Sequence, residues 1–142
     1  MKVLLDTCVV IDLLQKRMPF FEDAHTLFLA VANQQFEGYL SAKSITDIYY
    51  LMHRCLHDDK ATRKALETLL KLLSILDTTD MDCRNALLSP VSDYEDALMI
   101  ETAARTAMDC IVTRNIKDYA NAKIKVYTPE QFLTVLRQSF DA

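Results

Sequence analysis

Apolar positions along the chain follow two rhythms. Short, mostly apolar runs occur at Val3-Leu4-Leu5, Gly38-Tyr39-Leu40, Ile75-Leu76, Cys110-Ile111-Val112 and Ile124-Lys125-Val126. Each is of strand length, and the fully apolar ones suit a parallel sheet buried on both faces. Between them, apolar residues recur every three or four positions. Ala24, Leu27, Phe28 and Val31 make one such stripe in a helix predicted over 21–32. Ile45, Ile48, Tyr49, Met52, Cys55 and Leu56 make another, in a helix opened by Ser44. Leu66, Leu69, Leu70 and Leu73 belong to a helix over 61–73, after a turn at Asp58-Asp59.

Ser92 and Glu95 have capping-box spacing at the start of a helix running to about residue 107, with Ala97, Ile100, Ala104 and Ala107 on one face. Short helices are expected over 9–14 and from Thr79. Thr128-Pro129-Glu130-Gln131 opens the last helix with an N-cap, a first-turn Pro and a Gln three residues after the cap. Strands alternating with helices predict a single α/β domain over 1–142 with a largely parallel sheet. Ligands of such sheets sit at the carboxyl ends of the strands, which directs attention to the residues after Leu5 and Val112.

Composition narrows the picture. One Gly and three Pro leave few sites for hairpin turns, which argues against an all-β sandwich. Hydrophobic residues at 51% and charged residues at 25% are ordinary for a folded globular chain. The net charge of −4 excludes binding of nucleic acid by a broadly basic surface, so any such role needs a local site with cations. Cys8, Cys55, Cys83 and Cys110 form no CxxC and read as isolated buried thiols of a reducing compartment. Asp6 and Asp12 interrupt the N-terminal apolar run, so no signal peptide is expected. No apolar run reaches the roughly 18 residues of a membrane span, and a cytoplasmic protein is expected.

Several catalytic patterns are absent. A single glycine, Gly38, allows neither a Walker loop nor GxGxxG. An aspartyl-phosphate phosphatase would carry a second Asp two residues after Asp6, where Cys8 stands, and the acidic pair of a receiver domain is missing. His53 and His57 have a zinc-site spacing, but no Glu follows His53, and two partly exposed histidines are expected.

What remains is a set of acids. Asp6 follows the first strand, Asp47 lies early in the third helix, Asp93 and Asp96 open a later helix, and Asp118 follows the strand 110–112. Each has an ordinary explanation as a cap, a dipole partner or a loop acid. Together they lie where a parallel sheet gathers its loops. Carboxylates brought close need a cation between them, and hard oxygen donors suit Mg²⁺ or Mn²⁺.

The same residues carry a resemblance. Val3-Leu4-Leu5-Asp6-Thr7, Ser41-Ala42-Lys43-Ser44-Ile45-Thr46-Asp47-Ile48-Tyr49-Tyr50, Asp93-Tyr94-Glu95-Asp96-Ala97-Leu98 and Ile111-Val112-Thr113-Arg114-Asn115-Ile116-Lys117-Asp118-Tyr119 resemble, in that order, the segments of PIN-domain proteins of the VapC toxin type. Tyr127-Thr128-Pro129-Glu130-Gln131-Phe132-Leu133 resembles the family's closing segment. The resemblance implies a three-layer α/β/α sandwich and a Mg²⁺- or Mn²⁺-dependent site that hydrolyses RNA; the acidic set itself suggests attack by a metal-bound water, with 5′-phosphate and 3′-hydroxyl ends as products. Asp6, Asp47 and Asp96 match the family's first three acids; Asp47 stands where Glu is common. Asp93 is an additional acid. Asn115 stands where many relatives have the fourth acid, and Asp118 is the candidate to replace it. Thr7 and Thr113 would lie near the site as hydroxyl donors that orient carboxylates or water.

The resemblance further implies the toxin half of a toxin–antitoxin pair, with an antitoxin peptide in the acidic groove and a homodimer. The apolar stripes of the third and fourth helices offer a dimer surface. Arg114, Lys117, Lys43 and Arg54 are candidate contacts to the RNA backbone, with Arg114 foremost. Lys60, Arg63 and Lys64 read as a solvated helix face. Tyr49 belongs to the core stripe, and Tyr50 is open to stack on a base. The competing reading is a PIN-like RNA-binding module that Asn115 has left catalytically weak.

Overall fold

The computed structural model describes residues 1–141. The strands are β1 (Lys2–Leu5), β2 (Glu37–Ser41), β3 (Ser74–Leu76), β4 (Cys110–Val112) and β5 (Val126–Tyr127). The helices are α1 (Thr7–Leu14), α2 (Phe21–Ala32), α3 (Ala42–Leu56), α4 (Asp59–Leu69), α5 (Asp80–Ala86), α6 (Tyr94–Arg105) and α7 (Pro129–Asp141), with a 3₁₀ turn at Ile116–Tyr119. The strands form one five-stranded parallel sheet in the order β3-β2-β1-β4-β5.

Strand alternation divides the core in two. Val3, Leu5, Leu40, Cys110 and Val112 face a layer that includes α1, α2, α3 and α7, with Phe132, Ile48 and Leu27 at its centre. Leu4 and Ile111 face the opposite layer, which packs Ala97, Ile100, Ala103 and Tyr119. This is the expected α/β/α sandwich. The small alanines of α6 let that helix lie close on the sheet. Gly38 serves a similar purpose in β2, because a Cβ there would meet the Leu73 side chain at 2.5 Å.

Helix starts differ from expectation at two functional places. Ser41, not Ser44, caps α3: its Oγ accepts from the Ser44 backbone N–H at 3.2 Å, and the Ser44 hydroxyl is buried 3.0 Å from Ser41 Oγ. Asp47 is therefore no capping partner, and its carboxylate is available for other work. Asp93, not Ser92, caps α6, accepting from the Asp96 N–H at 3.0 Å. The aspartate reaches the third N–H of the helix, which leaves Glu95 out of any capping box. Helix α4 ends at Leu69, four residues early, and β5 begins two residues later than its apolar run.

A buried acid fixes the helices that present α6. Asp82 accepts from the Thr79 N–H at 3.0 Å, Arg105 Nε at 2.9 Å and Thr102 Oγ1 at 3.3 Å. It joins the start of α5 to the end of α6. Only Cys110 among the four free thiols is fully buried, and Cys55 is exposed.

Candidate metal centre at the sheet's switch point

Strand β1 lies between β2 and β4, so chain connections diverge from it to both sides. That is where an open parallel sheet forms a crevice at its carboxyl edge. The Asp6 N–H donates to Val112 O at 2.9 Å, which sets the ends of β1 and β4 side by side. The cleft above them, about 510 Å³, is lined by Asp6, Thr7, Lys43, Asp47, Tyr50, Asp93, Glu95, Asp96, Asn115 and Asp118 among others. Segments over a hundred residues apart in sequence thus bring every acid singled out by sequence to one place. They arrive with one lysine among six carboxylates.

Asp6 is the most firmly held. Its Oδ1 accepts from the Thr7 N–H at 2.7 Å, which caps α1, and its Oδ2 accepts from Thr113 Oγ1 at 2.7 Å. The Asn115 N–H donates to Thr113 Oγ1 at 3.1 Å, so the threonine hydroxyl hydrogen is left to point at Asp6. Cys8 Sγ lies 3.8 Å from the same oxygen. Burial, and then the Asp6 charge, push the Cys8 thiol up to about 11, so it is a protonated donor and no nucleophile. The fully buried Thr113 thus donates its hydroxyl hydrogen to the Asp6 carboxylate.

Asp96 is the most perturbed acid. Partial burial and the charges of Asp93, Asp6 and Asp118 raise its carboxyl to about 7, against a hydrogen bond from Tyr119 that acts the other way. Tyr119 was not singled out by its sequence position. Its hydroxyl lies 3.4 Å from Asp6 Oδ2 and 3.6 Å from Met99 Sδ. Burial and the Asp6 and Asp96 charges push its ionisation far up, so it stays a hydrogen-bond donor to the acids. A tyrosine beside Asp118 in a polar loop was its one sequence signal.

The raised carboxyl has a consequence for stability. A folded-state value above the ordinary one means that ionising Asp96 opposes folding. The penalty is absent below about pH 4, grows as pH rises towards 7, and is full above that. With partial exposure it amounts to roughly 1–2 kcal/mol. In EDTA, Asp96→Asn is expected to melt several degrees above wild type at pH 8 and to lose that advantage at pH 4.5. An advantage that does not grow with pH would contradict the coupling.

The remaining acids are placed differently. Asp47 Oδ2 lies 2.6 Å from Lys43 Nζ, which also reaches Glu95 Oε2 at 3.0 Å. Among the described residues, no three His, Cys, Asp or Glu side chains are already gathered as a metal cage. The donors are hard oxygens, and Asp6 with Asp96 and its neighbours fits a divalent cation in type and charge.

The candidate RNA contacts fare unevenly. Arg114 has another partner: its Nε and Nη2 lie 2.5 and 3.2 Å from the buried Asp12 carboxylate, and its guanidinium stacks 4.0 Å from the Phe20 ring centroid. Asp12 was missed because nothing in α1 signals a partner 102 residues away. Arg54 lies in the last turn of α3, outside the cleft lining, and Lys117 stands exposed next to Asp118. Tyr50 is 65% exposed at the cleft lip. Tyr49 leaves the core stripe: its hydroxyl donates to Asp59 and joins α3 to α4 at the surface. His53 stacks on Tyr49, and His57 ends α3 in the left-handed conformation.

The fold and the site together define a parallel α/β/α domain with acids gathered at the sheet's switch point. The PIN domain family model matches residues 2–117, and the chain belongs to that family. Solved structures with the same fold include VapBC2 from Rickettsia felis bound to a promoter DNA fragment. It is 17% identical with a TM-score of 0.62, covering 89% of this chain and 97% of that one. FitAcB from Neisseria gonorrhoeae is 20% identical with a TM-score of 0.67, covering 90% and 98%. VapC20 from Mycobacterium tuberculosis, a toxin that cleaves the sarcin–ricin loop, is 12% identical with a TM-score of 0.65, covering 87% and 98%. A comparison with curated proteins gives no match.

A direct check of the orienting hydrogen bond is Thr113→Val, which keeps the shape and removes the hydroxyl. Mn²⁺ affinity is expected to fall about 10- to 100-fold, the usual cost of losing a group that orients a metal ligand. Isothermal titration reads this, and unchanged affinity would remove Thr113 from the site.

Proposed function

We propose that this protein is a divalent-cation-dependent endoribonuclease and the toxin component of a toxin–antitoxin pair. The observation that carries the reading is the gathering of Asp6, Asp47, Asp93, Glu95, Asp96 and Asp118 in one cleft. An anionic cleft repels a phosphodiester unless a cation enters first. Asp6, Asp96 and Asp118 would hold Mg²⁺ or Mn²⁺, with Asp93 close by and Asn115 as a neutral oxygen donor. Bound there, the cation would lower the pKa of water and offset the charge that grows on the phosphoryl oxygens.

The chain's own groups do the positioning. The Thr7 backbone N–H and the Thr113 hydroxyl keep Asp6 in one orientation, and the buried Tyr119 donates to the acids. Lys43 supplies a positive charge at the cleft wall for an RNA phosphate. Cys8 is protonated and needs no catalytic role. The toxin reading is supported by the kinship of fold with VapC and FitAcB structures. On that reading, an antitoxin peptide would occupy the acidic cleft. A homodimer would use the α3–α4 face, where Leu56 and Leu70 are exposed while Ile48, Met52, Leu69 and Leu73 serve the core. No helix among the described residues is long and apolar enough to cross a membrane. Four free thiols suit a reducing cytoplasm.

The test is cleavage of a mixed set of structured and single-stranded RNAs with Mn²⁺, with Mg²⁺ and with EDTA. Cleavage is expected with either ion and none with EDTA. The neutral Asn115 favours one rival reading, a binding module that holds RNA but turns it over poorly. RNA binding without cleavage in any condition would establish that rival.

A further inference from the structure

We infer that Lys43 is a built-in cation that stands in for a second divalent ion, so that the cleft takes one ion and not two. The inference rests on the reading of the cleft as a metal site. Its basis is how the acids are divided. Asp6 is held by Thr7, Thr113 and Tyr119, on the side of the cleft formed by the ends of β1 and β4. Asp47 and Glu95 are held by Lys43 at 2.6 and 3.0 Å. Helices α3 and α6 lie on opposite faces of the sheet, so the lysine spans the carboxyl edge and joins the two outer layers.

Its position follows from the local sequence. Lys43 and Asp47 are four residues apart on α3, where side chains meet. The early cap at Ser41 puts Lys43 in the first turn, at the cleft. The Asp93 cap puts Glu95 in the first turn of α6, facing it. The lysine side chain is 30% exposed, so its charge is only partly screened by water. A divalent ion that took Asp47 would have to displace the ammonium or sit against it, and both are unfavourable. An ammonium also has three donors, and two carboxylates leave one for a phosphate oxygen. Asn115 points the same way, because a neutral donor does not attract a second ion.

The test counts Mn²⁺ directly, by electron paramagnetic resonance of free ion and by calorimetric titration, without RNA. Wild type and Lys43→Arg are expected to bind one Mn²⁺ per chain. Lys43→Met, which keeps the stem and removes the charge, is expected to bind two, the second at least tenfold tighter than any weak second step in wild type. Lys43→Gln serves the same purpose if thermal melts show the Met variant to be unfolded. Equal counts and affinities in wild type and the neutral variants would overturn the inference and leave the metal site standing. Two ions in wild type would do the same. No ion bound by any of them would overturn the metal-site reading as well.

Discussion

Asp6→Asn is expected to abolish cation-dependent RNA cleavage while the protein stays folded. Asp6 sits where β1 and β4 end together, and both its oxygens are fixed by the chain, Oδ1 by the Thr7 N–H and Oδ2 by Thr113 Oγ1. An amide keeps the acceptor that caps α1, so helix and sheet remain in place. It loses the charge that draws a cation to that point. Replacing one group in a preorganised electrostatic site costs about 10²- to 10³-fold in rate, and a charge at the centre of the site belongs at the upper end. The melting temperature should move by only a few degrees. The substitution also removes one of the charges that raise Asp96, so the fall in stability between pH 4 and 7 should shrink. Full activity in Asp6→Asn would remove the acid site from the mechanism. A collapsed melting curve would show that its role is structural.

Arg114→Ala is expected to destabilise the protein strongly rather than merely weaken RNA binding. The guanidinium makes two contacts with Asp12, whose side chain is 2% exposed, and covers Phe20. Without it a carboxylate is left buried and unpaired between α1 and the loop after β4. Breaking such a pair from one side costs about 3–5 kcal/mol, a fall in melting temperature on the order of 10 °C for a chain of this size. The loop carries Thr113 and Asn115, so the site would be lost along with the stability. A double substitution of Asp12→Leu with Arg114→Met removes both charges and should recover most of the melting temperature. A loss of RNA affinity in Arg114→Ala with unchanged melting would instead make Arg114 a phosphate contact. Thermal melts must therefore accompany any salt titration of this variant.

These two residues show how far the site was legible. Asp6 could be read because it interrupts an apolar run at the strand end, where a parallel sheet puts its chemistry. Arg114 was misleading for the same reason. Its place after β4 marked it for the cleft, but a buried acid on α1 claims it, and only folding brings the two together. Asp47 and Asp93 were read as helix-start acids. Serine and aspartate each cap well, so choosing between Ser41 and Ser44, or Ser92 and Asp93, needed backbone geometry. That choice released Asp47 and Glu95 to meet Lys43.

From its sequence alone, this chain is legible as strands and helices in alternation, a parallel sheet and acids at its carboxyl edge. Those features follow from local periodicity and from where a short strand must end, both of which are written in neighbouring residues. Tertiary structure alone decided which carboxylates meet in one cleft and which of them are held by Lys43. It also decided that Tyr119 serves the site and that Arg114 serves Asp12. The physical reason is that hydrogen bonds and ion pairs depend on ångström distances between side chains up to 113 residues apart. The pattern of apolar positions sets which face a residue lies on, but not which partner it meets there.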